Sequence, residues 1–160
     1  MRIVAQRVRR ASVTVGAETT GEIGPGLMLL VGVTHDDGER EADLLAAKVA
    51  NLRIFDDEAG VMNRSALDLL AAGETVGMLV VSQFTLYGDV RKGRRPSWIA
   101  AARPEAAAPL VDCVSDRLRW LGLTVATGRF GAEMIVSLEN DGPVTLWLDT
   151  AEWGMRAKAD

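Results

Sequence analysis

Seven consecutive residues, Leu27-Met28-Leu29-Leu30-Val31-Gly32-Val33, carry no polar side chain. A strand with one wet face alternates; an unbroken apolar run of this length reads as a strand covered on both faces. Met78-Leu79-Val80-Val81 repeats the pattern inside Thr75–Ser82. A sheet with such a centre needs material above and below it, and the rest of the chain supplies it. Arg2 to Arg10 and Ser12 to Val15 alternate with period two, as half-buried strands do, and Gly21 to Gly26 is turn chemistry. Asp36 followed by Glu39 predicts a helix start, and Ala42, Leu45, Ala46, Val49 and Leu52 form its inward stripe. Arg53 to Asp56 and Val61 to Asn63 flank Asp57-Glu58-Ala59-Gly60, which predicts a hairpin.

A second helix carries Leu110, Val114, Leu118 and Leu121 and stops at Gly122. Pro104 suits its first turn; Pro109 predicts a kink or a later start. Thr124–Thr127, Glu133–Asn140 and Val144–Asp149 read as three further strands. Many strands with two main helices give an α+β class: a single domain whose mixed or antiparallel sheet is β-barrel-like.

At 160 residues, with 48% hydrophobic and 25% charged positions, the composition is that of one globular domain. No apolar run approaches the ~20 residues that span a bilayer, and Met1 to Arg7 lacks a signal-peptide core. The single cysteine, Cys113, forms no internal disulfide and fits a reducing compartment, so the cytoplasm is expected. The net charge of −4 argues against a protein that grips a long nucleic-acid backbone. Arg91, Lys92, Arg94 and Arg95 nevertheless form a concentrated basic lip, either a solvated surface or a contact for an RNA end.

Two polar segments adjoin the apolar strands. Ser82-Gln83-Phe84-Thr85 follows Val81, and Asn140-Asp141-Gly142-Pro143-Val144-Thr145 lies between two strand patterns. A proline there cannot join a ladder, so Gly142-Pro143 is a turn or a bulge. The only histidine, His35, reads as a loop residue, and Cys113 as a small partly buried thiol. Metal-ligand clusters and Gly-rich phosphate loops are missing, so neither metal nor cofactor is expected. What remains is a pocket that works by hydrogen bonding. Thr85 offers a hydroxyl, and the backbone amides of Gln83 to Thr85 can face a developing oxyanion.

These segments, with Gln6-Arg7-Val8, Arg53-Ile54-Phe55, Arg94-Arg95-Pro96-Ser97 and Thr127-Gly128-Arg129-Phe130, resemble the D-aminoacyl-tRNA deacylases from Met1 to about Leu148. The resemblance implies a deacylase domain over residues 1–149 and a C-terminal tail, 150–160. It implies a homodimer with a cross-subunit active site, and the aminoacylated 3′ end of tRNA as partner. It also implies that Gly142-Pro143 is cis and acts as a chiral gate in the neighbouring subunit, where L side chains are excluded and glycine is not. Arg7 would hold the Gly-Pro segment, and Phe130 and Met134 would line the pocket or the terminal-adenine site, or else pack the core. Trp98 stands where the family usually has Phe. Two other readings stay open: a non-catalytic RNA-end-binding module, and a threonine-nucleophile esterase or amidase.

Overall fold

The structure is a computed structural model and describes residues 1–153. Residues 154–160, most of the expected tail, lie outside the described residues. Strand β1 (Arg2–Val15) is one continuous strand where the alternation predicts two. It pairs with β2 (Glu18–Ile23) and β3 (Gly26–Gly32) on one side and with β8 (Ile135–Asp149) on the other. Parallel pairs then run from β3 to β6 (Gly77–Ser82) and on to β7 (Thr124–Thr127). The order β2-β1-β3-β6-β7, with β8 on β1, is a mixed sheet. It curls toward closure. At Gly21 of β2 an added Cβ would lie 2.6 Å from the Thr127 carbonyl oxygen of β7, so a bare backbone lets the two ends of the sheet meet.

The unbroken apolar runs are explained by two cores. Leu27, Leu29 and Val31 of β3 and Met78 and Val80 of β6 face the helices; Met28, Leu79 and Val81 face the inside of the curled sheet with Val8, Ala11 and Val13. Each such side chain fully removed from water contributes about 2 kcal/mol.

Helix α1 (Glu39–Asn51) begins after Gly38, with Glu41 closing a capping box on the Gly38 amide at 2.9 Å. The start is thus displaced by two residues from Asp36/Glu39, and Asp37 Oδ2 instead accepts from the Thr34 amide at 2.7 Å in the preceding turn. The predicted hairpin is β4 (Phe55–Asp56) with β5 (Met62–Arg64). Helix α2 (Ala66–Ala71), capped by Ser65 and Asp68, is a short third helix that the sequence reading passed over.

Helix α3 (Pro104–Trp120) starts at Pro104 and continues unbroken past Pro109, so the later start is not taken. That proline forgoes one bond to the Glu105 carbonyl, and both residues are exposed, so the carbonyl is open to solvent. The buried stripe of α3 is Ala107, Val111, Val114, Ser115 and Leu118; Leu110 and Leu121 are only partly covered.

The last two predicted strands are a single one. In β8 the register against β1 jumps: Gln6 faces Thr145 while Val8 faces Asn140. Asp141 to Val144 therefore stand out of the ladder opposite Arg7 as a bulge, the second of the two alternatives open for Gly142-Pro143. Thr150 to Trp153 follow as a 3-10 turn, with Thr150 buried against Met1.

Candidate active site

β6 ends where its ladder ends. Ser82 is the last residue in register with Val31, and the Gln83 amide donates to the Val31 carbonyl oxygen at 2.7 Å. Phe84–Tyr87 then turn as a 3-10 helix. The amides of Phe84 and Thr85 lie in its first turn, ahead of any helical acceptor, and have no partner among the described residues. The sequence reading offered three amides, Gln83 to Thr85. The structure leaves two, because Gln83 spends its own on the sheet. Its side chain turns the other way, Nε2 donating to the Thr85 hydroxyl.

Ser82, Gln83 and Phe84 separate two cavities at the C-terminal ends of the parallel strands, where open α/β sheets generally place ligands. One, about 380 Å³, is apolar and reaches beneath the start of α3, between Val33, Trp98, Ala107, Val111 and Phe130. The other, about 270 Å³, is bounded by Val81, Ala132, Met134 and Val136. Phe130 and Met134 thus lie on opposite sides of the same backbone partition. Thr85 lines neither.

Trp98 fixes the rim. Its ring meets Phe84 edge-on, centroids 5.4 Å apart, and rests so closely on Gly88 that an added Cβ there would lie 2.5 Å from the indole. Asp89 and Ser97 exchange backbone hydrogen bonds of 2.8 and 2.9 Å, closing the basic loop into a hairpin beside this rim. Within it Arg91 is committed to Asp89, with Nε and Nη2 at 2.9 and 2.7 Å. That donation, seconded by the Arg91 amide, holds the Asp89 carboxyl down to about 2. Lys92, Arg94 and Arg95 are exposed and form no ion pair among the described residues.

Gly142-Pro143 lines neither cavity. The peptide is cis, both residues are exposed, and the bulge is anchored from beneath. Arg7, only 7% exposed, donates through Nε to the Asp141 carbonyl oxygen at 3.3 Å with Asp141 Oδ2 at 3.0 Å, and through Nη1 to Ile54 O at 2.6 Å. Gln6 Nε2 closes the neck on Asn140 Oδ1 at 3.1 Å. The sequence reading gave Asp141 no role; its place between Asn140 and Gly142 was the available signal.

His35 is exposed, donates from Nε2 to Ile99 O at 2.7 Å and lines neither cavity. Burial, aided by Asp43, pushes the Cys113 thiol up and keeps it protonated. Neither supplies a base to Thr85. The arrangement offers open amides, one hydroxyl and a shaped apolar cavity.

Comparison with known proteins identifies the family. The family model for D-Tyr-tRNA(Tyr) deacylase matches residues 4–149. The chain belongs to the D-aminoacyl-tRNA deacylase family. Among its relatives, D-aminoacyl-tRNA deacylases of a Roseiflexus species and of Thermomicrobium roseum are 62% and 60% identical to it, over 94% and 95% of this chain and 94% and 96% of theirs. A solved chain described as a c-Myc DNA unwinding element binding protein superposes with a TM-score of 0.82 at 38% identity, covering 94% of this chain and 99% of that one. Family membership and a matched span ending at Asp149 put the Ser82–Thr85 segment, the Gly-Pro bulge and Arg7 all inside the shared domain.

Proposed function

We propose that this chain hydrolyses the ester linking a D-amino acid to the terminal ribose of tRNA, releasing free D-amino acid and tRNA. Glycyl-tRNA is accepted too, since glycine has no side chain to reject. The observation that carries the reading is the pair of open amides at Phe84 and Thr85, the first on the strip that lines both cavities and the second just past its end. Water adds to the ester carbonyl carbon, and the oxyanion that forms faces those amides. The bond from carbon to the ribose oxygen then breaks, and that oxygen leaves with a proton from the attacking water, relayed by the neighbouring 2′-hydroxyl. Thr85 orients rather than attacks, because its oxygen already accepts from Gln83 Nε2 and no basic side chain bonds it among the described residues.

Chirality is decided by exclusion. The exposed Gly142-Pro143 bulge, pinned by Arg7 but outside its own chain's cavities, is suited to enter the site of a second copy. Its carbonyls accept the substrate amino group there and leave no room for an L side chain. The working unit is then a homodimer with shared sites. Phe130 and Met134 flank the ribose and terminal adenine, and Lys92, Arg94 and Arg95 meet the phosphates of the tRNA end. The cytoplasm, where charged tRNA is used, is the compartment this implies.

The test is release of D-tyrosine from D-tyrosyl-tRNA, with L-tyrosyl-tRNA as control. Rapid release from the D-ester alone is expected. Equal release from both would end the gate; release from neither would end the hydrolase reading.

A further inference from the structure

The guanidinium of Arg2 stands where the catalytic turn meets the far end of β8. Nη1 donates to the Leu86 carbonyl oxygen at 2.8 Å, and Nε donates to Asp149 Oδ2 at 2.8 Å. Its plane lies over the Tyr87 ring, 4.2 Å from the centroid, and over Trp147 at 5.2 Å. Asp149 is buried, and its other oxygen accepts from the Ala151 amide at 3.0 Å, so the anchor itself is fixed. Burial, together with the nearby Asp37 and Asp149 carboxylates, drives the Tyr87 hydroxyl upward and keeps the ring neutral beneath the cation.

We propose that Arg2 is a positioning residue for deacylation, holding the Phe84–Tyr87 turn by its Leu86 carbonyl so that the amides of Phe84 and Thr85 stay aimed at the ester. The turn needs such help. Four residues of 3-10 geometry close few bonds of their own, Leu86 N to Gln83 O at 3.3 Å and Gly88 N to Thr85 O at 2.9 Å. Its upstream end is tied to β3 through the Gln83 amide. Downstream, Arg2 is the side chain that ties it to the sheet. A lysine cannot replace this grip, since two diverging donors and a flat face between aromatic rings are all in use. The role rests on the proposed assignment of the turn to the reaction.

The test compares Arg2→Lys and Asp149→Asn with the parent, measuring kcat and KM on D-tyrosyl-tRNA alongside Tm. Arg2→Lys keeps charge and stem; its kcat is expected to fall about tenfold or more while KM stays within about threefold. Asp149→Asn, which loosens the fork while leaving the Leu86 bond, is expected to shift kcat the same way by less. A folded Arg2→Lys with parental kcat, or one whose loss lies in KM, overturns the proposal. If Arg2→Lys fails to fold, a parental kcat in Asp149→Asn does so. Phe84→Pro, which deletes one of the open amides, separates the two levels: full activity there removes the site assignment itself, whereas its loss beside an unaffected Arg2→Lys removes only the role of Arg2.

Discussion

Arg7 Nε lies 3.0 Å from Asp141 Oδ2, across the point where the β1–β8 register jumps. The same guanidinium bonds Ile54 O, so one buried cation joins the bulge to the β4 hairpin. Arg7→Ala strands that carbonyl and an aspartate that is one-third exposed. Solvent screening at Asp141 reduces the cost, which we expect to be about 2 to 3 kcal/mol in denaturant unfolding.

Gly142 separates folding from function. A Cβ added there meets only Asn140 Nδ2, at 3.5 Å, so Gly142→Ala fits its own chain. Its Tm should match the parent's. Activity should nevertheless drop by about tenfold or more if, as proposed, the bulge enters the site of a second copy, where the added methyl would stand between bulge and substrate. Loss of Tm in step with activity would contradict this.

Thr85→Ala removes a hydroxyl but leaves both open amides. More than about a tenth of the D-ester turnover should survive under the proposed mechanism, in which water is the nucleophile. A dead variant, with an acyl-enzyme trapped in the parent, would restore direct attack.

Gly88→Ala collides with the Trp98 indole and with the Thr85 carbonyl oxygen, the latter at 2.9 Å from the new carbon. Backbone and a rigid ring give way poorly, so the rim must shift. Fluorescence of Trp98 should change, and stability should fall by about 1 to 3 kcal/mol.

Asp89 reports on its hairpin. Its folded value is depressed, so its contribution to stability is present above the ordinary 3.8 and fades as the pH falls toward about 2. Carboxyl NMR titration should show that low midpoint, and Arg91→Ala should return it toward the ordinary value.

Much of this fold can be read in its residues. The runs Leu27–Val33 and Met78–Val81 announce strands between two cores, and both alternating sets divide as the sheet requires. The polar stop at Ser82–Thr85 falls where the ladder stops. β8 was not legible as one strand, because Gly142-Pro143 looks like a turn locally; only pairing with β1, more than a hundred residues away in sequence, carries the chain past it. Helix α2 is too short for a periodic signal, though Ser65 and Asp68 spelled its cap. Arg7 left a clue in its parity, a charge on the inward side after Ile3 and Ala5. Arg2 left none, since its partners at positions 86 and 149 are set by tertiary structure alone.

The strip Ser82–Phe84 is a wall one chain thick, with an apolar chamber on one side and a smaller one on the other. Each room can be enlarged through its own side chains, Val111 or Phe130 on one side and Met134 or Val136 on the other, but a change that displaces the shared main chain alters both at once.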